Sequence, residues 1–180
     1  MFKFNVNITD NDYLDYNVFW MTRSHYGKKQ ITKLRIFIAV LIALYISAML
    51  FSGSFASGTF LSSMPLVIFL AFLFIFMVKI MEWTLKASIK SLRKKGKMGY
   101  SPTSVVEFLN ETFIETTPEN KTEQKYSSIE RISLVDNKMI YIHVNNVMAY
   151  IIPVSCFESA EQYQSFLDFI KTKSTNIDIY

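Results

Sequence analysis

Hydrophobic positions along this chain follow three different rhythms. At the start Phe2, Phe4, Val6 and Ile8 alternate with Lys3, Asn5 and Asn7, the period-two pattern of a half-buried strand. Thr9 with Asp12 three positions on then makes a capping box, and Asp10 and Asp12 suit the positive end of a helix. The pattern predicts a helix over 10–26, with Tyr13, Tyr16 and Trp20 on a packing or interfacial face. Next comes a stretch with no polar rhythm at all: from 36 to 78 no residue is charged, a run of 43 positions. That is enough for two membrane-crossing helices at roughly 20 residues each.

The run is broken only at 52–59, where small and hydroxyl side chains with two glycines favour a reversal. The prediction is a transmembrane hairpin over 33–81, with spans 33–51 and 60–81. The first reaches its length by letting Lys33 and Arg35 snorkel toward the headgroups. The second rises about 33 Å, with Pro65 in its first turn where a missing amide donor costs least. Neither stretch alternates, so barrel strands do not compete. In the first span Ala39, Ala43 and Ser47 recur every four residues and define a helix-packing face, read either against the second span near Ala71 or as the seam of a homo-dimer. No acid, amide or histidine lies mid-membrane, so the usual mark of an ion path is missing.

Beyond the hairpin, 82–99 reads as a basic juxtamembrane helix, and Gly96, Gly99 and Pro102 end it. The third rhythm follows, short alternating runs that predict strands at 105–110, 112–117, 124–127, 129–135, 139–144 and 148–153, turning at Asp136-Asn137 and Asn145-Asn146. Glu107, Glu111, Glu115, Glu119 and Glu123 recur every four residues as on a helix, yet Val, Phe, Thr and Pro118 around them favour strands. Ser159, with Gln162 three positions on, caps a closing helix whose apolar face is Tyr163, Phe166, Leu167 and Ile170. Pro153 ends the last strand because it lacks an amide donor. The expected fold class is therefore α+β: a two-helix membrane hairpin plus an antiparallel sheet domain over 100–174, leaving 175–180 as a tail. So short a domain is marginal alone, and the strand in the N-terminal segment 1–32 is expected to complete its sheet.

Composition adds a compartment and an orientation. Only 19% of residues are charged and 51% are hydrophobic, short of the quarter charged in ordinary soluble domains. Of 19 Lys and Arg, twelve flank the hairpin and none lies in its connection, so both termini are expected in the cytoplasm. The band of Lys28, Lys29, Lys33, Arg35, Lys86, Lys90, Arg93, Lys94, Lys95 and Lys97 has two readings, a topological signal or contact with anionic lipids of the bilayer. Nucleic acid is not an expected partner, because bases crowded against a bilayer are poorly placed to follow a duplex. No signal-peptide core begins the sequence as given. The one cysteine, Cys156, cannot form an intrachain disulfide, and with His25 and His143 as the only histidines there is no metal spacing and no obvious nucleophile pair. No cofactor motif is found, and a catalytic role is not expected. The triplets at Asn7, Asn110 and Asn120 lie on the expected cytoplasmic side and are read as chance.

This order of elements resembles the YcxB-like family of bacterial membrane proteins. The resemblance is carried by Thr9-Asp10-Asn11-Asp12-Tyr13-Leu14, by Tyr150-Ile151-Ile152-Pro153-Val154-Ser155-Cys156-Phe157, and by the opening of the last helix from Ser159 to Phe166. It implies a cytoplasmic domain similar to bacterial pleckstrin-homology-like modules, in a bacterial plasma membrane, and brings no catalytic residues. The function expected is a membrane-tethered binding or scaffolding protein for a protein partner or lipid headgroups. The alternative is a subunit of a homo-oligomeric pore or transporter, with a membrane enzyme third.

Overall fold

The computed structural model describes residues 1–51, 60–145 and 148–180. The expected reversal over 52–59 and Asn146 of the second turn lie outside the described residues. The architecture is α+β: two long apolar helices and two four-stranded sheets. In chain order the elements are β1 (Phe2–Asn7), α1 (Asp10–Thr22), α2 (His25–Phe51), α3 (Phe60–Lys94), β2 (Thr103–Phe108), β3 (Thr112–Thr116), β4 (Lys121–Lys125), β5 (Arg131–Val135), β6 (Met139–His143), β7 (Ala149–Pro153), α4 (Ala160–Lys173) and β8 (Ile177–Ile179). They form two compact units, Met1–Asn17 with Ile89–Tyr180, and Val18–Ser88.

The first unit carries both sheets. One runs β1-β2-β3-β4, all antiparallel, with β1 paired to β2 from Phe2↔Phe108 to Asn7↔Thr103. The expected single meander is thus corrected, because a second sheet runs β7-β6-β5-β8. Its last pairing is parallel, Ile132↔Ile177 to Leu134↔Ile179, so the expected tail contributes a strand. Alternation selects which side chains are buried but not which strands join one sheet. Phe4 and Val6 of β1, Val106 and Phe108 of β2, Ile132 and Leu134 of β5, Ile140 and Ile142 of β6, and Phe166 and Ile170 of α4 share one core. Here α4 is capped as its sequence dictates, the Gln162 amide donating to Ser159 Oγ at 3.2 Å.

Strands β5, β6 and β7 are buried on both faces. The face away from the core carries Ser133, Tyr141 and His143, and Tyr16 of α1 lies over it, 5.1 Å from Tyr141 and 6.3 Å from His143 between ring centres. The capping box that starts α1 is complete: the Thr9 amide donates to Asp12 Oδ2 at 2.8 Å and the Asp12 amide to Thr9 Oγ1 at 3.2 Å. At the β5–β6 turn Asp136 and Asn137 stand at φ 51° and 52°, a left-handed conformation these two residue types tolerate best after glycine.

In the second unit α1 ends at Thr22, earlier than the expected 26, and α2 starts at His25, before the apolar run. Ser24 makes this break: its hydroxyl donates to the Trp20 carbonyl and accepts from the Gly27 amide at 3.0 Å. Only glycine fits at 27, since a Cβ there would lie 2.0 Å from the Trp20 carbonyl oxygen. Helix α3 absorbs both the second span and most of the basic stretch in one run of 35 residues, and Gly96 at φ 63° follows its end.

Candidate functional site

The feature of the first unit with most chemistry is a cavity of about 280 Å³ bordered by Ile8, Tyr13, Tyr16, Gly99, Tyr100, Ser101, Glu115, Thr117, Met148, Ala149, Tyr150 and Ile151. Four tyrosines and one carboxylate dominate it. Tyr13 and Tyr100 stack at 4.6 Å with their planes 24° apart. The Tyr100 hydroxyl donates to Asp10 Oδ1 at 2.6 Å, and Asp10 Oδ2 accepts from Arg93 at 2.6 Å, so the acid that opens α1 also fixes a ring of the cavity. Gly99 permits the stack, because a Cβ there would meet the Tyr13 hydroxyl at 3.0 Å.

Burial pushes the Tyr16 phenol up to about 12. Burial, then the hydrogen bond to Asp10, does the same for Tyr100. Both rings therefore stay neutral. Burial also raises Glu115 above the ordinary carboxylate range, with the Ser104 hydroxyl acting in the opposite direction. The Glu115 charge in turn helps raise Tyr150, behind burial as the larger cause.

One pair that attracts chemical suspicion is sealed. Ser133 Oγ and His143 Nε2 lie 3.1 Å apart, but Ser133 is 0% exposed and His143 1%. Desolvation, with the Arg131 charge adding to it, depresses His143 to about 4, so the imidazole is neutral at physiological pH. Cys156 is half-buried beside the core, and burial raises its thiol to about 11, leaving it a poor nucleophile. Among the described residues no group of His, Cys, Asp and Glu has metal-binding geometry.

The basic residues divide between the two units. Lys28, Lys29, Lys33 and Lys86 are exposed on the helices of the second unit, and Lys90, Arg93, Lys94, Lys95 and Lys97 on the first. Arg93 is committed to Asp10. Arg35 is half-buried, its guanidinium 5.9 Å from the Phe74 ring centre. Ala39, Ala43 and Ser47 are all exposed. The shielded positions of α2 are Ile31, Arg35, Ile38, Ile42, Tyr45 and Met49, alternating steps of four and three. Larger side chains give this spacing more area to bury than alanine does. Ala39 borders a groove with Ile42, Ala71, Phe74 and Ile75.

The run from the end of β2 through three turns of α4 supplies five of the eight strands and the helix that covers them. Residues 108–170 match the family model of YcxB-like protein. No curated protein and no solved structure matches the chain. The YcxB-like segment leaves out β1, α1 to α3 and β8. It holds Glu115, Thr117 and 148–151 of the cavity, while Ile8, Tyr13, Tyr16 and 99–101 come from outside it. The sequence pattern put Tyr13 and Tyr16 on a packing or interfacial face and gave Tyr100 and Tyr150 no site role; the convergence of the four has no local signal, since Tyr13 and Tyr150 come to border one cavity only through the fold.

Proposed function

We propose that this chain is an integral membrane protein whose hairpin of α2 and α3 crosses a bilayer and tethers a cytoplasmic binding module, the unit of Met1–Asn17 and Ile89–Tyr180. The observation that carries the reading is exposure: only 6% of the residues in the most apolar stretch of either long helix are buried. A core helix of a soluble protein would bury most of that surface, and apolar patches of this extent imply lipid or a partner. The pairing of β1 with β2 supports an even number of crossings, because one sheet contains residues from before and after the hairpin. The excess of Lys and Arg at the hairpin's ends supports cytoplasmic termini in a bacterial plasma membrane, with anionic lipid as the neighbour of the exposed lysines. Two sheets around one core, with α4 against them, are compatible with a pleckstrin-homology-like module that binds a protein partner or headgroups. A catalytic role is not proposed, because the Ser133 and His143 pair is closed to solvent.

The test is alkaline extraction joined to cysteine labelling. In a Cys156→Ala background, Asn5→Cys and Thr175→Cys both lie at exposed positions. The expected result is a chain that stays with the membrane pellet, with both thiols shielded from an impermeant maleimide until the cells are opened. A chain released by carbonate, or thiols on opposite faces, overturns the reading.

A further inference from the structure

We propose that the tyrosine-lined cavity binds a small alkylammonium group, its cation among the rings of Tyr13, Tyr16, Tyr100 and Tyr150 and facing the Glu115 carboxylate. The inference rests on the binding-module reading and names the ligand class that module takes.

The lining selects the charge. Among the described residues bordering the cavity there is no lysine, arginine or histidine, and Glu115 is the one acid. An anion would meet that carboxylate without a counter-charge, and a wholly apolar ligand would leave it desolvated and unpaired. A cation satisfies it. Around the lining, Asp10 and Asp12 act electrostatically on Tyr100, with Arg93 tied to Asp10 at 2.6 Å, and Arg131 acts on Tyr16, so Glu115 is the charge within the cavity itself. Phenol rings attract a cation to their faces, and the attraction grows when water is excluded.

The lining also selects size and softness. At about 280 Å³ the cavity falls just below the range that takes drug-sized molecules. Ile8, Met148 and Ile151 add apolar wall that a strongly hydrated metal ion or bare ammonium cannot use, whereas the methyl or methylene groups of an alkylated nitrogen can. The rings are fixed before any ligand arrives, by the Tyr13–Tyr100 stack, by the hydrogen bond from Tyr100 to Asp10 and by the space that Gly99 leaves. Such preorganisation lowers the cost of binding. The same module already sets a cation against rings elsewhere, with Lys173 Nζ 5.4 Å from the Tyr126 centre and 5.3 Å from that of Phe169.

An alkylammonium group reaches a membrane-tethered module either as a free solute or as a lipid headgroup, and one experiment separates the two. The full chain in mild detergent is titrated calorimetrically with choline, with tetramethylammonium and with 3,3-dimethyl-1-butanol, the uncharged carbon analogue of choline. Saturable binding of both cations is expected, at least tenfold tighter than that of the alcohol. Glu115→Gln and Tyr150→Leu are each expected to weaken choline at least tenfold. The comparison with the alcohol uses the unaltered chain, so it stands whatever the variants do to folding. Repeating the choline titration in nanodiscs of phosphatidylglycerol, with and without phosphatidylcholine, identifies the source: competition by the choline lipid assigns a headgroup, and undiminished choline binding assigns a solute. Equal binding of choline and its carbon analogue, or no binding of either cation, overturns the proposal. An alkaline wash of the same preparation tests the tether separately, so a chain that stays in the pellet yet ignores choline refutes the cation site alone.

Discussion

Phe166→Ala is the most informative single truncation, because one side chain joins parts of the chain that lie on either side of the hairpin in sequence. Phe166 is 0% exposed. Its ring centre lies 5.5 Å from Phe2 and 5.1 Å from Phe4 on β1, 4.8 Å from Phe108 on β2 and 5.4 Å from Phe157. Removing a buried phenylalanine costs about 3–5 kcal/mol in transfer and cavity terms. Four ring neighbours argue for the middle of that range or above, so about 4 kcal/mol is expected, a large share of the roughly 5–15 kcal/mol that stabilises a domain. Phe166→Leu keeps most of the volume and is expected to cost about 1.5 kcal/mol or less. The assay is amide hydrogen exchange of the full chain in detergent, read by mass spectrometry. Amides that exchange only through opening of the whole module gain about three powers of ten in rate for 4 kcal/mol. Peptides from β1, β2 and α4 are expected to accelerate together while α2 is unchanged. Acceleration confined to α4, or less than tenfold in β1, would refute the idea that β1 is integral to the core.

Three further substitutions test other parts of the structure. Burial holds the folded His143 near 4 against an ordinary 6.5; because the unfolded chain takes up this proton first, the contribution of His143 to stability is full above pH 6.5 and is lost as pH drops from about 6.5 to about 4. Unfolding free energies from denaturant titrations at pH 7.5, 5.5 and 4.5 are expected to decline by up to about 3 kcal/mol more in the parent than in His143→Asn, and equal declines would contradict the buried neutral imidazole. Gly27→Ala sets a methyl against the backbone oxygens of Trp20 and Met21 at 2.0 and 2.5 Å and is expected to cost about 3 kcal/mol or more. By contrast Gly96→Ala, at φ 63° in open space, is expected to cost only about 1–2 kcal/mol. Thermal unfolding in detergent ranks the two, and a milder effect at Gly27 would mean that the junction of α1 and α2 is looser than it stands here.

What the sequence disclosed was what depends on neighbours three or four positions apart. The Thr9 and Asp12 box, the Ser159 and Gln162 cap, the alternation of Phe2, Phe4 and Val6 and the turn at Asp136-Asn137 all appear where local chemistry demands them. Hidden features were those decided by distant partners. Ile177 and Ile179 are too short a run to announce a strand, and only the free edge of β5 makes them one. The unbroken burial of β6 conceals that Tyr141 and His143 face α1 while Ile140 and Ile142 face the core. Small residues at 39, 43 and 47 signalled close helix approach, yet the bulkier Ile38, Ile42, Tyr45 and Met49 took the shielded face. The Ser24 and Gly27 pair marks the start of α2 by local chemistry alone, on a scale shorter than the hydrophobic periodicity around it.

The pairing of β1 with β2 has a bearing on topology that hydropathy lacks. Register partners Asn7 and Thr103 stand 96 positions apart in sequence, with both long helices between them. Strands hydrogen-bonded in one sheet occupy the same compartment, so any bilayer crossed on the way out must be crossed again on the way back. Under the proposed reading this excludes one helix spanning while the other lies on the surface: either both cross or neither does. If neither did, the apolar stretches of both helices, 94% of whose residues are not buried, would face water, at roughly 25 cal/mol for each Å² of apolar surface. Burial in lipid removes that cost. Sheet pairing and helix exposure, arising in different units of the chain, thus both support the proposal of a hairpin with its two ends on one side of a membrane.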